Sequence, residues 1–239
     1  MKARRAAFLG IMAAVLLICC REESALPAVA PAEISETKYV ALTFDDGPRA
    51  NTTGRLLDGL RERGASATFF LIGRQIAGNE DLVLRMKVEG HQVGNHTWDH
   101  VTLQGKPAAV VQKEICRTDN AIRNILGDGS YWVRPPYGLL NKNQRCCFST
   151  PLVHWSVDPE DWKLKNAKKV VDAVLKKVQP GNIILLHDIY ATSVDAAFQI
   201  VDTLEAEGYE FVTVEELLAL YGITPQAGVF YTDAREITE

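Results

Sequence analysis

The 239-residue chain is 47% hydrophobic and 23% charged, with a formal net charge of −4 and a pI near 5.8. That balance suits one globular domain with a real core plus a short extra segment, and it excludes the basic face that nucleic-acid binding requires. The five cysteines, Cys19, Cys20, Cys116, Cys146 and Cys147, show no paired metal-type spacing and are too few for a disulfide-built scaffold.

At the N-terminus, Lys2, Arg4 and Arg5 precede 15 uncharged residues, Ala6 to Cys20. A basic start followed by an apolar run too short for a comfortable span reads as an export signal or an anchor. Ala28-Val29-Ala30 offers a small-residue cleavage site, with lipid attachment at Cys19 or Cys20 as an alternative. Residues 1–37 are therefore expected to be a signal peptide or membrane anchor plus linker, and the protein to be extracellular or held at the cell surface. In that setting Cys116 can pair with Cys146 or Cys147.

From about residue 38 the pattern alternates. Strand-like runs cover Tyr39–Phe44, Ala67–Ile72, His91–Gly94, Tyr131–Arg134, Leu152–Val157, Asn182–Leu186 and Glu210–Val212. Helix-like stretches cover Thr52–Arg63, Glu80–Glu89, Pro107–Leu126, Ala167–Val178, Ser193–Glu207 and Val214–Leu220. Such alternation predicts an α/β domain of parallel strands with helical crossovers, either a doubly wound sheet or an incomplete βα-barrel. Residues 38–223 form this single domain, and residues 224–239, which lack a period, are expected to be a loose tail.

In either architecture sites form at the carboxyl ends of strands, and the unusual polar residues fall there. Asp45-Asp46 follow the first run, Gly94–His100 the third, Arg134–Gly138 the fourth, Asp158–Trp162 the fifth and His187-Asp188 the sixth. His96 and His100 are spaced i, i+4, which in a helical turn aims two imidazoles from one face, as zinc ligands often are. With one carboxylate they make a three-ligand set that leaves a position open for water. One aspartate of the Asp45-Asp46 pair can bind the metal, and the other can stay ionised as a base, held by Arg134. His187 suits a general acid, with Asp161 or Asp158 favouring its protonated form. His91 and His154 lie within strands and are expected to be structural. Trp98 and Trp162 are candidate sugar-stacking surfaces, whereas Trp132 and Trp155 are as readily core residues.

Taken together, Thr43–Pro48, His96–His100, Arg134–Gly138, Asp158–Trp162 and Leu185–Asp188 resemble, in order, the five signature segments of the polysaccharide deacetylases, carbohydrate esterase family 4 or the NodB homology domain. The resemblance spans roughly Tyr39 to Tyr221 and implies a distorted (β/α)7 barrel. It implies Asp45 as base and Asp46, His96 and His100 as ligands of a divalent metal, zinc by default with cobalt as an alternative. It further implies Arg134 orienting Asp45, His187 as acid and Asp161 tuning it. The Tyr137 backbone N–H beside Pro136 would hold the oxyanion, and Trp162 would line the cleft. The implied reaction is removal of N-acetyl groups from GlcNAc residues of a polysaccharide, peptidoglycan or a chitooligosaccharide, by a monomer. An O-deacetylase such as an acetylxylan esterase, and an inactive glycan-binding member, are the competing expectations.

Overall fold

Strand β1 (Lys38–Asp45), reading KYVALTFD, runs through the centre of the computed structural model, which describes residues 37–235 and the backbone of Ile237 and Thr238. The expected signal or anchor segment lies outside the described residues. A strand buried on both faces reads as a near-continuous apolar run, and β1 is buried from Val40 to Asp45. Its alternate side chains point to opposite faces. Val40, Leu42 and Phe44 join the large core under the helices, whereas Ala41 packs with Phe70, Trp132 and Ile183. The same alternation turns Thr43 and Asp45 towards Arg134.

Around β1 the strands are parallel. β2 (Ala67–Leu71) pairs with its second half, and β3 (Gln92–Asn95) pairs with β2. Single bridges carry the ladder from Asn95 to Val133 and on to Leu152, at the start of β4 (Leu152–Val153). Val157 then bridges to Ile184 of β5 (Ile183–His187), and β5 returns to β1. A seventh stave, β6 (Tyr209–Phe211), pairs with Lys38–Val40 of β1. The result is a distorted (β/α)7 barrel. Crossover helices α1 (Thr53–Arg63), α2 (Gly73–Ile76), α3 (Glu80–Val88) and α4 (Ala108–Leu126) follow the first three strands. Helices α5 (Asp161–Leu164), α6 (Ala167–Leu175), α7 (Ala191–Ala206) and α8 (Val214–Leu220) complete the outer layer. No helix among the described residues is long and apolar enough to cross a membrane.

Three expectations change. The strand expected over Tyr131–Arg134 contracts to the bridge at Val133, because Pro135 and Pro136, which have no N–H to donate, follow directly. The strand expected over Leu152–Val157 is broken after Val153, where the chain leaves one partner and joins β5. The loose tail is instead structured. β7 (Phe230–Tyr231) pairs in parallel with β4, and β8 (Ile237–Thr238) pairs antiparallel with β7. Phe230, Tyr231 and Ala234 are buried, so apolar burial outweighs the missing period. Cys116, Cys146 and Cys147 are unpaired thiols.

Candidate active site

The register of β1 against β5 sets Asp45 directly beside His187 at the carboxyl ends of neighbouring strands. Between the barrel and its rim lies a cleft of about 400 Å³, lined by Asp45, Asp46, His96, His100, Tyr137 and His187 among others.

Asp45 is buried, and its Oδ1 accepts a 2.8 Å hydrogen bond from Arg134 Nη1. Arg134 itself is 0% exposed. Its guanidinium also donates to Thr43 Oγ1 and to the His154 carbonyl, each at 2.8 Å, and lies 4.2 Å from the Phe70 ring centroid. Burial pushes the Asp45 carboxyl up, but the charges of Arg134, His96 and His187 overcome this and hold it below the usual carboxylate range. Burial also pulls Arg134 down, against the pull of Asp45.

One residue on, the backbone flips. Asp46 has φ 75°, the left-handed region, and its Oδ1 lies 3.6 Å from His96 Nε2 and 3.3 Å from His100 Nε2. Gly47 follows because no side chain fits, since a Cβ there would run into the Asp188 carboxylate. Burial raises the pKa of that carboxyl, which bonds Thr53 Oγ1, to about 7.

His96 and His100 do meet, with ring centroids 5.0 Å apart, but not through a helix. Thr97 and His100 have φ 68° and 56°, so the segment is a loop with two left-handed residues. It is shaped from outside. Glu114 of α4 accepts the N–H groups of Trp98 and Asp99 at 3.0 and 2.9 Å, and Asn95 Oδ1 accepts that of Thr97 at 2.8 Å. His96 Nδ1 donates to the Arg134 carbonyl at 2.6 Å, which fixes the tautomer and turns Nε2 to the cleft. His100 is pushed down, first by burial and then by His96, so it is a neutral imidazole fit to ligate.

Asp46, His96 and His100 are the one group among the described residues able to hold a metal ion, with donor atoms within 4.8 Å of one another. Asp46 Oδ1 is buried without a hydrogen-bond partner, as expected of an oxygen meant for a cation. The residues fit the ion.

Across the cleft, His187 Nδ1 bonds Asp161 Oδ1 at 2.7 Å, and its backbone N–H donates to Asp161 Oδ2 at 2.8 Å. Burial alone would lower the imidazole's pKa. The hydrogen bond and charge of Asp161, helped by Asp45 and Asp46, raise it to about 9. Asp158, the alternative partner, instead accepts the Glu160 N–H.

Tyr137 has φ 63°, is 61% exposed, and packs edge-on to His100 at 5.0 Å, while Pro136 beside it is buried. Trp162 is 47% exposed and lines the cleft. Of the other tryptophans, Trp132 takes the core place open to it, whereas Trp98 and Trp155 differ from expectation. Trp98 is covered by Arg117 at 4.1 Å, and Trp155 lines the cleft. Trp132 is buried. His91 is buried and accepts the Ala67 N–H, and burial lowers its pKa to about 4.

Residues with no local signal complete the site. Buried Ser193, in the first turn of α7, donates to Asp161 Oδ2 at 2.5 Å. Glu114 and Thr53 act through contacts between separate elements, which spacing along the chain does not announce. Only their hydrogen-bonding capacity within amphipathic helices was available as a hint.

The polysaccharide deacetylase family model matches residues 32–146. The chain is 43% identical over 180 residues to the peptidoglycan-N-acetylmuramic acid deacetylase PdaC of Bacillus subtilis, covering 75% of this chain and 38% of that protein. It thus spans about two fifths of that relative's length. Against the chitooligosaccharide deacetylase of a Bradyrhizobium species it is 36% identical, covering 77% of this chain and 93% of the relative. Among solved structures, T48 deacetylase with substrate superposes with a TM-score of 0.78 at 42% identity, over 82% of this chain and 96% of that one.

Proposed function

The chain belongs to the polysaccharide deacetylase family, and on that premise we propose that it is a metal-dependent hydrolase removing N-acetyl groups from GlcNAc residues of a cell-wall or chitin-type polysaccharide, peptidoglycan foremost. The observation that carries the reading is the facing pair Asp45 and His187 beside the Asp46, His96 and His100 set. A held-ionised carboxylate and a held-protonated imidazole at neighbouring strand ends beside a ligand cluster are what a base-then-acid hydrolysis needs.

Asp46, His96 and His100 would hold a divalent cation, zinc as the first choice for this donor set and cobalt an alternative, which would supply a Lewis acid for the acetyl carbonyl and for the attacking water. Asp45 takes the proton from the attacking water as the new C–O bond forms, and Arg134 keeps Asp45 ionised and aimed. The Tyr137 backbone N–H donates to the oxyanion that develops on the carbonyl. As the C–N bond breaks, His187 gives its proton to the departing nitrogen, so acetate and a free amine leave. Asp161 steadies the imidazolium beforehand. Trp162 and the Tyr137 ring offer apolar faces to the sugar rings. The basic-then-apolar residues 2–20 support action outside the cell or at its surface, and we take the working unit to be a monomer.

Acetate release from peptidoglycan, chitooligosaccharides and acetylated xylan, with chelator and with added zinc, tests the proposal. Chelator-sensitive release from a GlcNAc polymer is expected. Release from xylan alone would replace it with an O-deacetylase, and metal binding without release from any substrate would favour a binding role.

A further inference from the structure

Charge is unevenly placed on this protein. Residues 160–179, which hold α5 and α6, carry six lysines and no arginine against Glu160, Asp161 and Asp172, a net +3 in a chain whose formal total is −4. Of those acids, Asp161 is buried and committed to His187. Lys163, Lys165, Lys168, Lys169, Lys176 and Lys177 are all exposed. Lys163 pairs with Glu160 and Lys168 with Asp172, in exposed contacts that hold little. The other four make no ion pair among the described residues. Lys177 donates to the Asp158 carbonyl at 3.4 Å, and the Lys165 ammonium lies 5.6 Å from the Tyr190 ring centroid.

Helix α6 arranges these charges as a stripe. At about 100° per residue, Val170, Val171 and Val174 share one face, and all three are buried. Lys169 and Lys176, seven residues or two turns apart, lie on the opposite face, with Lys168 and Lys177 flanking them. The Lys176 backbone, at φ −67° and ψ −26°, still follows the helix. At its other end the stripe reaches the rim of the cleft, because the Tyr190 ring beneath Lys165 is one of the cleft-lining residues. The helices of a barrel lie alongside its strands, whereas the cleft opens at the strands' carboxyl ends. A flat surface seated on α6 therefore runs past the mouth without closing it.

The kind of cation narrows the partner. Arginine forks suit one fixed, bidentate anion, whereas ammonium groups on flexible stems act as point charges. Six of the latter, with no arginine among them, suit a diffuse and laterally mobile array of phosphates, and an amphipathic helix with a lysine face is how a folded domain meets a charged lipid surface. We propose that the α5–α6 lysine stripe docks this domain on an anionic phospholipid bilayer and holds the cleft mouth beside the membrane. The docking uses none of the residues assigned to proton transfer or metal binding and stands apart from the deacetylase reading.

Amine footprinting of the full chain, read by peptide mass, tests this. On phosphatidylglycerol vesicles acylation should slow at Lys169 and Lys176 but not at Lys106 or Lys113, exposed lysines outside the stripe. Phosphatidylcholine vesicles should give no protection, and about 0.5 M salt, which screens charges within a few ångströms, should remove it. The triple variant Lys169→Gln, Lys176→Gln, Lys177→Gln should weaken partitioning to the anionic vesicles about fivefold per lysine, roughly 100-fold in all, with thermal unfolding unchanged. Equal protection of all lysines, or none, would overturn the stripe. So would salt-sensitive binding that is lost only in the variant Lys2→Gln, Arg4→Gln, Arg5→Gln, since the N-terminal segment would then carry it. Protection by inorganic polyphosphate chains and not by vesicles would replace the bilayer with a soluble polyanion.

Discussion

Asp161 accepts both the ring N–H and the backbone N–H of His187, at 2.7 and 2.8 Å. Two-point attachment fixes the imidazole's orientation and its charge together. With its pKa raised to about 9, His187 stays protonated across neutral pH, and a rate that needs the imidazolium is lost as pH climbs through about 9. Asp161→Asn removes the raising partner and leaves burial to pull the pKa down. The alkaline limb of the kcat profile should move to lower pH, and kcat at neutral pH should fall by roughly 10²–10⁴. The same group links pH to stability. A raised folded-state pKa stabilises fully below the unfolded value near 6.5, and that contribution is lost as pH rises through about 9. Denaturant unfolding at several pH values should show this decline in the wild type and little of it in Asp161→Asn.

Ser193 shifts the same profile in the opposite direction. Its hydroxyl donates to Asp161 Oδ2 at 2.5 Å. Ser193→Ala leaves that carboxylate with one donor fewer, so it draws harder on the imidazolium and raises the His187 pKa further. The alkaline limb should move up while kcat falls, because the acid holds its proton more tightly. Ser193→Thr should restore both, and an unchanged pH profile for Ser193→Ala would remove Ser193 from the relay.

Arg134 and Asp45 are a fully buried pair joined at 2.8 Å. Either partner alone in that interior is a large penalty, about 3–5 kcal/mol. Asp45→Asn should therefore bind metal with stoichiometry unchanged, lose turnover and unfold at markedly lower denaturant. Arg134→Met should destabilise by a similar amount, and Asp45→Asn combined with Arg134→Met by less than the sum.

Metal dependence separates Asp46 from Asp45. Asp46→Ala removes one of three ligands and should lose metal on dialysis and acetate release with it. Asp45→Asn should keep the metal, as measured by elemental analysis. Equal metal retention in both variants would contradict the assignment of Asp46 as ligand.

The gathering of polar side chains in one cleft was readable before the fold because strand ends are where a parallel barrel exposes side chains, and five such ends carried polar residues. Asp45 and His187, distant in sequence, became register partners through two apolar runs that were themselves legible. The His96–His100 spacing led to two rings that do meet, but by another geometry than the expected helical turn. Left-handed residues at Thr97 and His100, pinned by Glu114 and Asn95, do what a helical turn was expected to do. Spacing records which residues are near along the chain, whereas Glu114, Ser193 and Thr53 contribute through neighbours on other elements. The C-terminal strand escaped notice for a related reason. Two residues, Phe230 and Tyr231, are too few to show a period, yet enough to pair with a two-residue partner.

That pairing has a bearing on how the protein comes into being. A chain emerging from the ribosome presents Asp45, Asp46, His96 and His100 early and His187 later, and domains form as their segments become available. The cleft wall at His154 and Trp155 is anchored on its far side by Tyr231, whose carbonyl receives the His154 N–H at 2.9 Å. The wall waits for the β7 segment that carries Tyr231. A nascent chain that already carries Asp45, Asp46, His96, His100 and His187 but not Tyr231 still lacks the anchor of the cleft wall, so the wall is completed only after the residues it encloses.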